Sequence, residues 1–148
     1  MIRDMIKSDI PLMTELGARM HLESEYSEFN YAPEKCFALG DEIVASDNMC
    51  GFVAEVDGVV MGMFIGASWC HYFSDATLSS DLLLYVSPDC RGGMTGLRLI
   101  KAYLAWAKSK HIDDIRLGET AGIDREVIAK LYNKLGFDNY GTIYRLKK

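Results

Sequence analysis

Leu82-Leu83-Leu84-Tyr85-Val86-Ser87-Pro88-Asp89-Cys90-Arg91-Gly92-Gly93-Met94-Thr95-Gly96-Leu97 runs from an apolar strand through a glycine-rich turn into an amphipathic helix. Such a junction aims free backbone N–H groups and the positive end of a helix dipole at one spot. Arg91 stands beside that spot. Gly92, Gly93 and Gly96 let the main chain approach phosphate oxygens where a side chain would collide. This is the chemistry of a pyrophosphate cradle. The turn lacks the Gly-Lys-Ser/Thr ending of a P-loop and the spacing of Gly-x-Gly-x-x-Gly, which points to another phosphate-bearing cofactor.

Outward from the cradle, two segments carry a resemblance. Val86-Ser87-Pro88 leads into Arg91-Gly92-Gly93-Met94-Thr95-Gly96, and Leu131-Tyr132-Asn133-Lys134-Leu135-Gly136-Phe137 follows downstream. In order and spacing they resemble the signatures of the GNAT superfamily of acetyl-CoA-dependent N-acyltransferases, Arg/Gln-x-x-Gly-x-Gly/Ala after Val-x-Pro, and Leu-Tyr-x-Lys-Leu-Gly-Phe. Met94 replaces the first motif glycine, with Gly93 beside it to supply flexibility.

The bulk numbers suit that reading. A chain of 148 residues, taken as one domain over 1–148, can bury a core without disulfides. Hydrophobic residues make up 49% and charged residues 25%, ordinary for a globular protein. No apolar run approaches a membrane span and the first residues carry no signal-peptide pattern, so a cytoplasmic protein without membrane partners is expected. The scattered Cys36, Cys50, Cys70 and Cys90 read as thiols in a reducing compartment. A net charge of −5 with pI near 5.2 disfavours nucleic acid and favours cationic partners.

Pattern reading gives the element order β-α-α-β-β-β-α-β-α-β-β. A first strand spans residues 2–6. A helix follows with Ser8 or Asp9 as N-cap, Pro11 in its first turn, and Ile10, Met13, Leu16 and Met20 at helical spacing. Residues 23–31 form a loop, and Pro33 opens a second helix to about Ala45. Strands over 49–56 and 59–68 meet at Asp57-Gly58, a strong hairpin signal. After the cradle, Leu97, Ile100, Leu104 and Ala107 mark a helix face. A strand over 113–117, a helix over 127–135 stopped by Gly136, and a closing hairpin over 137–148 bent at Gly141 complete the chain.

The resemblance implies an α/β (α+β) fold, a central mixed twisted sheet splayed at a V and flanked by helices. It implies acetyl-CoA as cosubstrate, with pantetheine between strands 80–86 and 113–117. Main-chain groups of Leu84 and Val86 would meet that arm, because unpaired backbone donors and acceptors are costly. Arg91, Gly92, Gly93, Met94, Thr95 and Gly96 would hold the pyrophosphate. Tyr132 matches the tyrosine that protonates the departing thiolate; without the resemblance it reads as a core tyrosine.

For the base, many family members carry an acid near the start of the strand into the cradle. Ser80 falls on that position and Asp81 beside it, and one residue along a strand turns a side chain to the opposite face. Asp81 is the candidate, with Asp75 and His71 in reserve. No metal is implied, since His21, His71 and His111 are far apart with no ligand spacing. Cys90 sits at a helix N-terminus, which activates thiols, but no histidine neighbours it in sequence.

The family walls its acceptor pocket with the loop between the first two helices and the loop after the hairpin. Here these carry Glu23, Glu25 and Glu28 with Tyr26, Phe29 and Tyr31, and Trp69, Tyr72 and Phe73 with Asp75. Acids mixed with aromatics suit a cationic amine, or else form a solvated surface. The leading expectation is acetyl transfer to a primary amine of a small molecule or protein. A CoA-binding sensor without turnover and a nucleic-acid-modifying relative are the alternatives, and a homodimer stays open as an assembly.

Overall fold

The structure, a computed structural model, describes residues 1–146. Five strands lie in sequence order across one sheet: β1 (Ile2–Asp4), β2 (Met49–Val56), β3 (Val59–Cys70), β4 (Thr77–Val86) and β5 (Asp114–Ile115). The first three pairings are antiparallel and β4–β5 is parallel. Helices α1 (Ile10–Glu23) and α2 (Pro33–Ala45) cover one face, and α3 (Thr95–Ser109) with α4 (Arg125–Lys134) covers the other.

Side-chain alternation builds both layers. On β2, Val53 turns toward the α1–α2 core with Met63, Ile65 and Tyr85, whereas Cys50, Phe52 and Ala54 turn toward the α3 core with Phe64. The Asp57-Gly58 turn has φ of 50° and 79°, the positive pair that a tight two-residue hairpin requires. On α3 the fully buried residues are Leu99, Ile100, Tyr103 and Ala107, so the inward face is rotated from the expected one. A polar anchor explains the rotation: the Tyr103 hydroxyl lies 2.7 Å from Ser79 Oγ and donates to the Arg116 carbonyl at 3.1 Å.

Two features matter for the site, the first a departure from expectation. The closing hairpin is absent: residues 137–146 carry no regular structure, and the rest of that expectation lies outside the described residues. The sheet explains this. β5 holds only two residues before the chain leaves the edge, so a returning strand meets no extended partner. Instead Arg145 pairs with Glu28 at 2.6 Å, and Tyr140 lies under the Arg116 guanidinium at 4.8 Å.

The second is a bulge in β4, in the strand expected to splay. Ile65 faces Leu83 across the ladder and Gly66 faces Asp81, leaving Leu82 without a partner. Ser79 faces α3 on the near side of the bulge, and Leu84 and Val86 face α3 on the far side. The extra residue has switched the parity.

Candidate active site

β4 and β5 part where the bulge begins. Leu78 pairs with Asp114 and Ser79 with Ile115, and the Arg116 N–H still reaches the Ser79 carbonyl at 2.9 Å. The next donor, the Gly118 N–H, goes to the Asp81 carboxylate at 2.6 Å rather than to main chain. Beyond that bond lies a cavity of about 800 Å³, lined by the end of β4, the cradle, the 118–124 loop and α4.

The free edge of β4 faces this cavity. The Ser87 N–H bonds the Met61 carbonyl on β3 at 2.8 Å, so strand alternation turns the main-chain groups of Leu84 and Val86 the other way. Both residues line the cavity. At its end, among the described residues, no N–H from Gly92 to Leu97 has a protein acceptor, and the first helical bond of α3 runs from Arg98 to Met94. Gly92 has φ +80°, a conformation that favours glycine, and the space where a Cβ would stand on Gly92 or Gly93 is open. Unsatisfied donors around open space suit an anion, and the long slot leading to them suits a linear arm. Met94 is the N-cap residue of α3 and exposed; it is not among the cavity-lining residues, while Gly92, Gly93 and Gly96 are.

Arg91 lines the same cavity, but its guanidinium is turned inward. Nε donates to the Val86 carbonyl at 2.8 Å, Nη2 lies 2.7 Å from Glu23 Oε2, and the group sits 5.4 Å above the Tyr85 ring. Tyr85 donates to the other Glu23 oxygen at 2.5 Å. Burial alone would raise the Glu23 pKa, yet the Tyr85 hydroxyl and Arg91 together hold the carboxyl below its usual range. Tyr85 is pushed up to about 12 by burial and by that carboxylate. Glu23 therefore anchors the cradle arginine to the end of α1. Glu23 and Arg91 are far apart in the chain, and no sequence pattern pairs them.

Asp81 and Tyr132 meet at one residue, Gly118. Asp81 accepts the Gly118 N–H, and the Tyr132 hydroxyl donates to the Gly118 carbonyl at 3.0 Å. The bulge settles the face question: Asp81 shares the side of Ser79, toward α3 and α4. Desolvation pushes the Asp81 carboxyl above the usual carboxylate range, partly offset by the Gly118 N–H and the Ser80 hydroxyl. The Tyr132 phenol is pushed up by burial and by the charges of Asp81 and Glu119, so it keeps its proton at neutral pH. Gly118 was not legible as a site residue; its only signal is a glycine just past a strand.

The acidic loops are placed differently from expectation. Tyr26 lines the cavity, but Glu25 pairs with Arg125 at 3.0 Å and Glu28 with Arg145. Residues 69–75 do not line it; in the β3–β4 connection His71 stacks on Tyr72, and Phe73 meets both rings edge-on. His71 and Asp75 thus lie outside the cavity lining that Asp81 shares. Cys90 lines the cavity as a free thiol, and no histidine does. Among the described residues no group of three or more His, Cys, Asp or Glu is placed to hold a metal. No described helix is long and apolar enough to cross a membrane.

This geometry has relatives. The family model of the acetyltransferase (GNAT) domain matches residues 47–139. The chain belongs to the GNAT family. Among curated proteins, this GNAT chain is 32% identical over 117 residues to the probable N-acetyltransferase camello of Xenopus laevis, covering 76% of the chain and 51% of that protein. The chain thus spans about half the length of that relative. It is 26% identical over 113 residues to an aminoglycoside N(6')-acetyltransferase type 1 of Salmonella typhimurium, covering 74% of the chain and 76% of the relative. Among solved structures, AAC(6')-Iy in complex with a bisubstrate analogue of CoA and acetylneamine superposes with a TM-score of 0.81 at 20% identity, covering 100% and 97% of the two chains. The structure of a predicted acetyltransferase of Clostridium acetobutylicum with acetyl-CoA gives a TM-score of 0.79 at 15% identity, covering 99% and 95%. The GNAT fold therefore extends over the described chain.

Proposed function

We propose that this GNAT protein transfers an acetyl group from acetyl-CoA directly to a primary amine. The observation that carries the reading is the convergence of Asp81 and Tyr132 on the main-chain N–H and carbonyl of Gly118, at the mouth of the gap between β4 and β5. The N–H groups from Gly92 to Gly96 take the pyrophosphate at the N-terminus of α3, and Arg91 lends its charge from beside Val86. Leu84 and Val86 offer main-chain groups along the slot. Acetyl-CoA brings the thioester. Asp81 accepts a proton from the incoming ammonium, directly or through water, and Tyr132 holds the proton that the departing sulfur needs. A cationic acceptor is favoured by Asp81 on the cavity wall, since Glu119 and Asp124, like Glu25 and Glu28, are paired with arginines. Four free cysteines suit a reducing, cytoplasmic setting.

An amine panel with a free-thiol readout tests the reading. Saturable thiol release that requires both acetyl-CoA and an amine is expected. CoA binding with no turnover on any amine would favour the sensor reading instead. Arg91→Ala is expected to weaken CoA binding in calorimetry, more at low salt than at high, because a charge is removed from the cradle. Affinity unchanged from wild type at both salt concentrations would remove Arg91 from the binding site.

A further inference from the structure

Three cations line the cavity: Arg91, Lys130 and Lys134. Arg91 is held by Glu23, Tyr85 and the Val86 carbonyl. The two lysines are exposed and, among the described residues, have no anionic partner. The neighbouring arginine of α4, Arg125, is by contrast paired to both Glu25 and Glu119. Two unpaired ammonium groups one helical turn apart on a cavity wall ask for an anion.

Helix geometry separates them from the chemistry. At about 100° per residue, Lys130 and Lys134 lie within roughly 40° of each other and roughly 160° round α4 from Tyr132. Tyr132 occupies the flank facing Gly118 and Asp81, and the lysines occupy the opposite flank. We propose that Lys130 and Lys134 bind the terminal phosphomonoester of CoA, on the ribose, and make the protein select CoA over its dephospho form. The proposal rests on the CoA reading above.

The two anionic parts of CoA differ, and so do the two features of the cavity. The internal pyrophosphate suits closely packed backbone N–H groups, which lie at the cradle. A terminal monoester is close to doubly charged at neutral pH and stays near solvent. Flexible lysines, as compact point charges with three donors each, meet such a group without a fixed approach angle. The plainer service for these lysines is to offset the negative C-terminal end of α4, which stops at Lys134. The two services separate by experiment.

Calorimetry of the full chain with CoA and with dephospho-CoA, at low and high salt, makes the test. The wild type is expected to bind CoA about 10- to 100-fold more tightly than dephospho-CoA, the scale of one or two hydrogen bonds to a charged group. That preference should shrink as salt rises. In Lys130→Gln/Lys134→Gln the preference should vanish, with CoA affinity falling to the dephospho-CoA value and dephospho-CoA affinity unmoved. Lys110→Gln, a surface control, should behave as wild type. A double variant that keeps the preference, whether or not it loses stability, would overturn the proposal and leave the lysines as dipole partners. Equal wild-type binding of the two ligands would overturn it while leaving the CoA reading intact. Binding of neither ligand would overturn both.

Discussion

Tyr132→Phe is expected to lower kcat by about ten- to a thousandfold, the scale for losing a general acid, while acetyl-CoA affinity moves little. The variant keeps the ring that packs near Phe137, with centroids 6.1 Å apart, and deletes only the hydroxyl that donates to the Gly118 carbonyl. Losing that bond costs stability by about 0.5–1.5 kcal/mol, so thermal melting separates a folding defect from a chemical one. Steady-state kinetics on the best amine, with CoA titrations alongside, make the measurement. Turnover equal to wild type would reduce Tyr132 to a packing residue.

Asp81→Asn carries the opposite balance of stability and activity. Desolvation raises the folded-state pKa of Asp81 above its unfolded value, with the Gly118 N–H and Ser80 hydroxyl offsetting part of the shift. The folded chain therefore holds this proton more tightly than the unfolded chain does. The contribution to stability is full below the unfolded pKa of about 3.9 and is lost as pH rises through the raised folded value. Once ionised, the desolvated carboxylate weakens the fold. Asparagine keeps an oxygen for the Gly118 N–H without the buried charge, so Tm at pH 7 should rise. Activity should fall by about 10²- to 10⁴-fold, as for loss of a general base. In the wild type, kcat/KM should rise with pH as Asp81 ionises. An Asp81→Asn enzyme of normal activity would move the base elsewhere, and a lowered Tm would contradict the desolvation account.

What the sequence could show was local. The cradle was readable because glycines, an arginine and a strand-to-helix switch all lie within sixteen consecutive residues, and the structure puts the start of α3 at Thr95. The Asp57-Gly58 turn and the span of α2, Pro33–Ala45, were likewise written in adjacent residues. Features that depend on distant partners were not. The rotated face of α3 follows from Tyr103 finding Ser79 across the core, a pairing no periodicity contains. The Glu23–Arg91 pair joins the end of α1 to the cradle between residues far apart in the chain. Asp81 was readable as a candidate, but its face was not, because an unbroken strand pattern gives the wrong parity beyond the bulge. The expected closing hairpin shows the reverse error: residues 137–146 read as strands bent at Gly141, but a strand exists only where an edge accepts it.

The unpaired Leu82 acts on β4 as a shift of reading frame acts on a message. Upstream, odd-numbered residues such as Ser79 face α3; downstream, even-numbered ones such as Leu84 and Val86 do. A chain shortened by one residue here would keep its composition and nearly all its order. One half of the strand would nevertheless have to turn over. It could keep its carboxylate beside Tyr132, or its cavity-facing main-chain groups at Leu84 and Val86, but not both. Length at this point in β4 is therefore as much a specification of the site as the identity of any side chain in it.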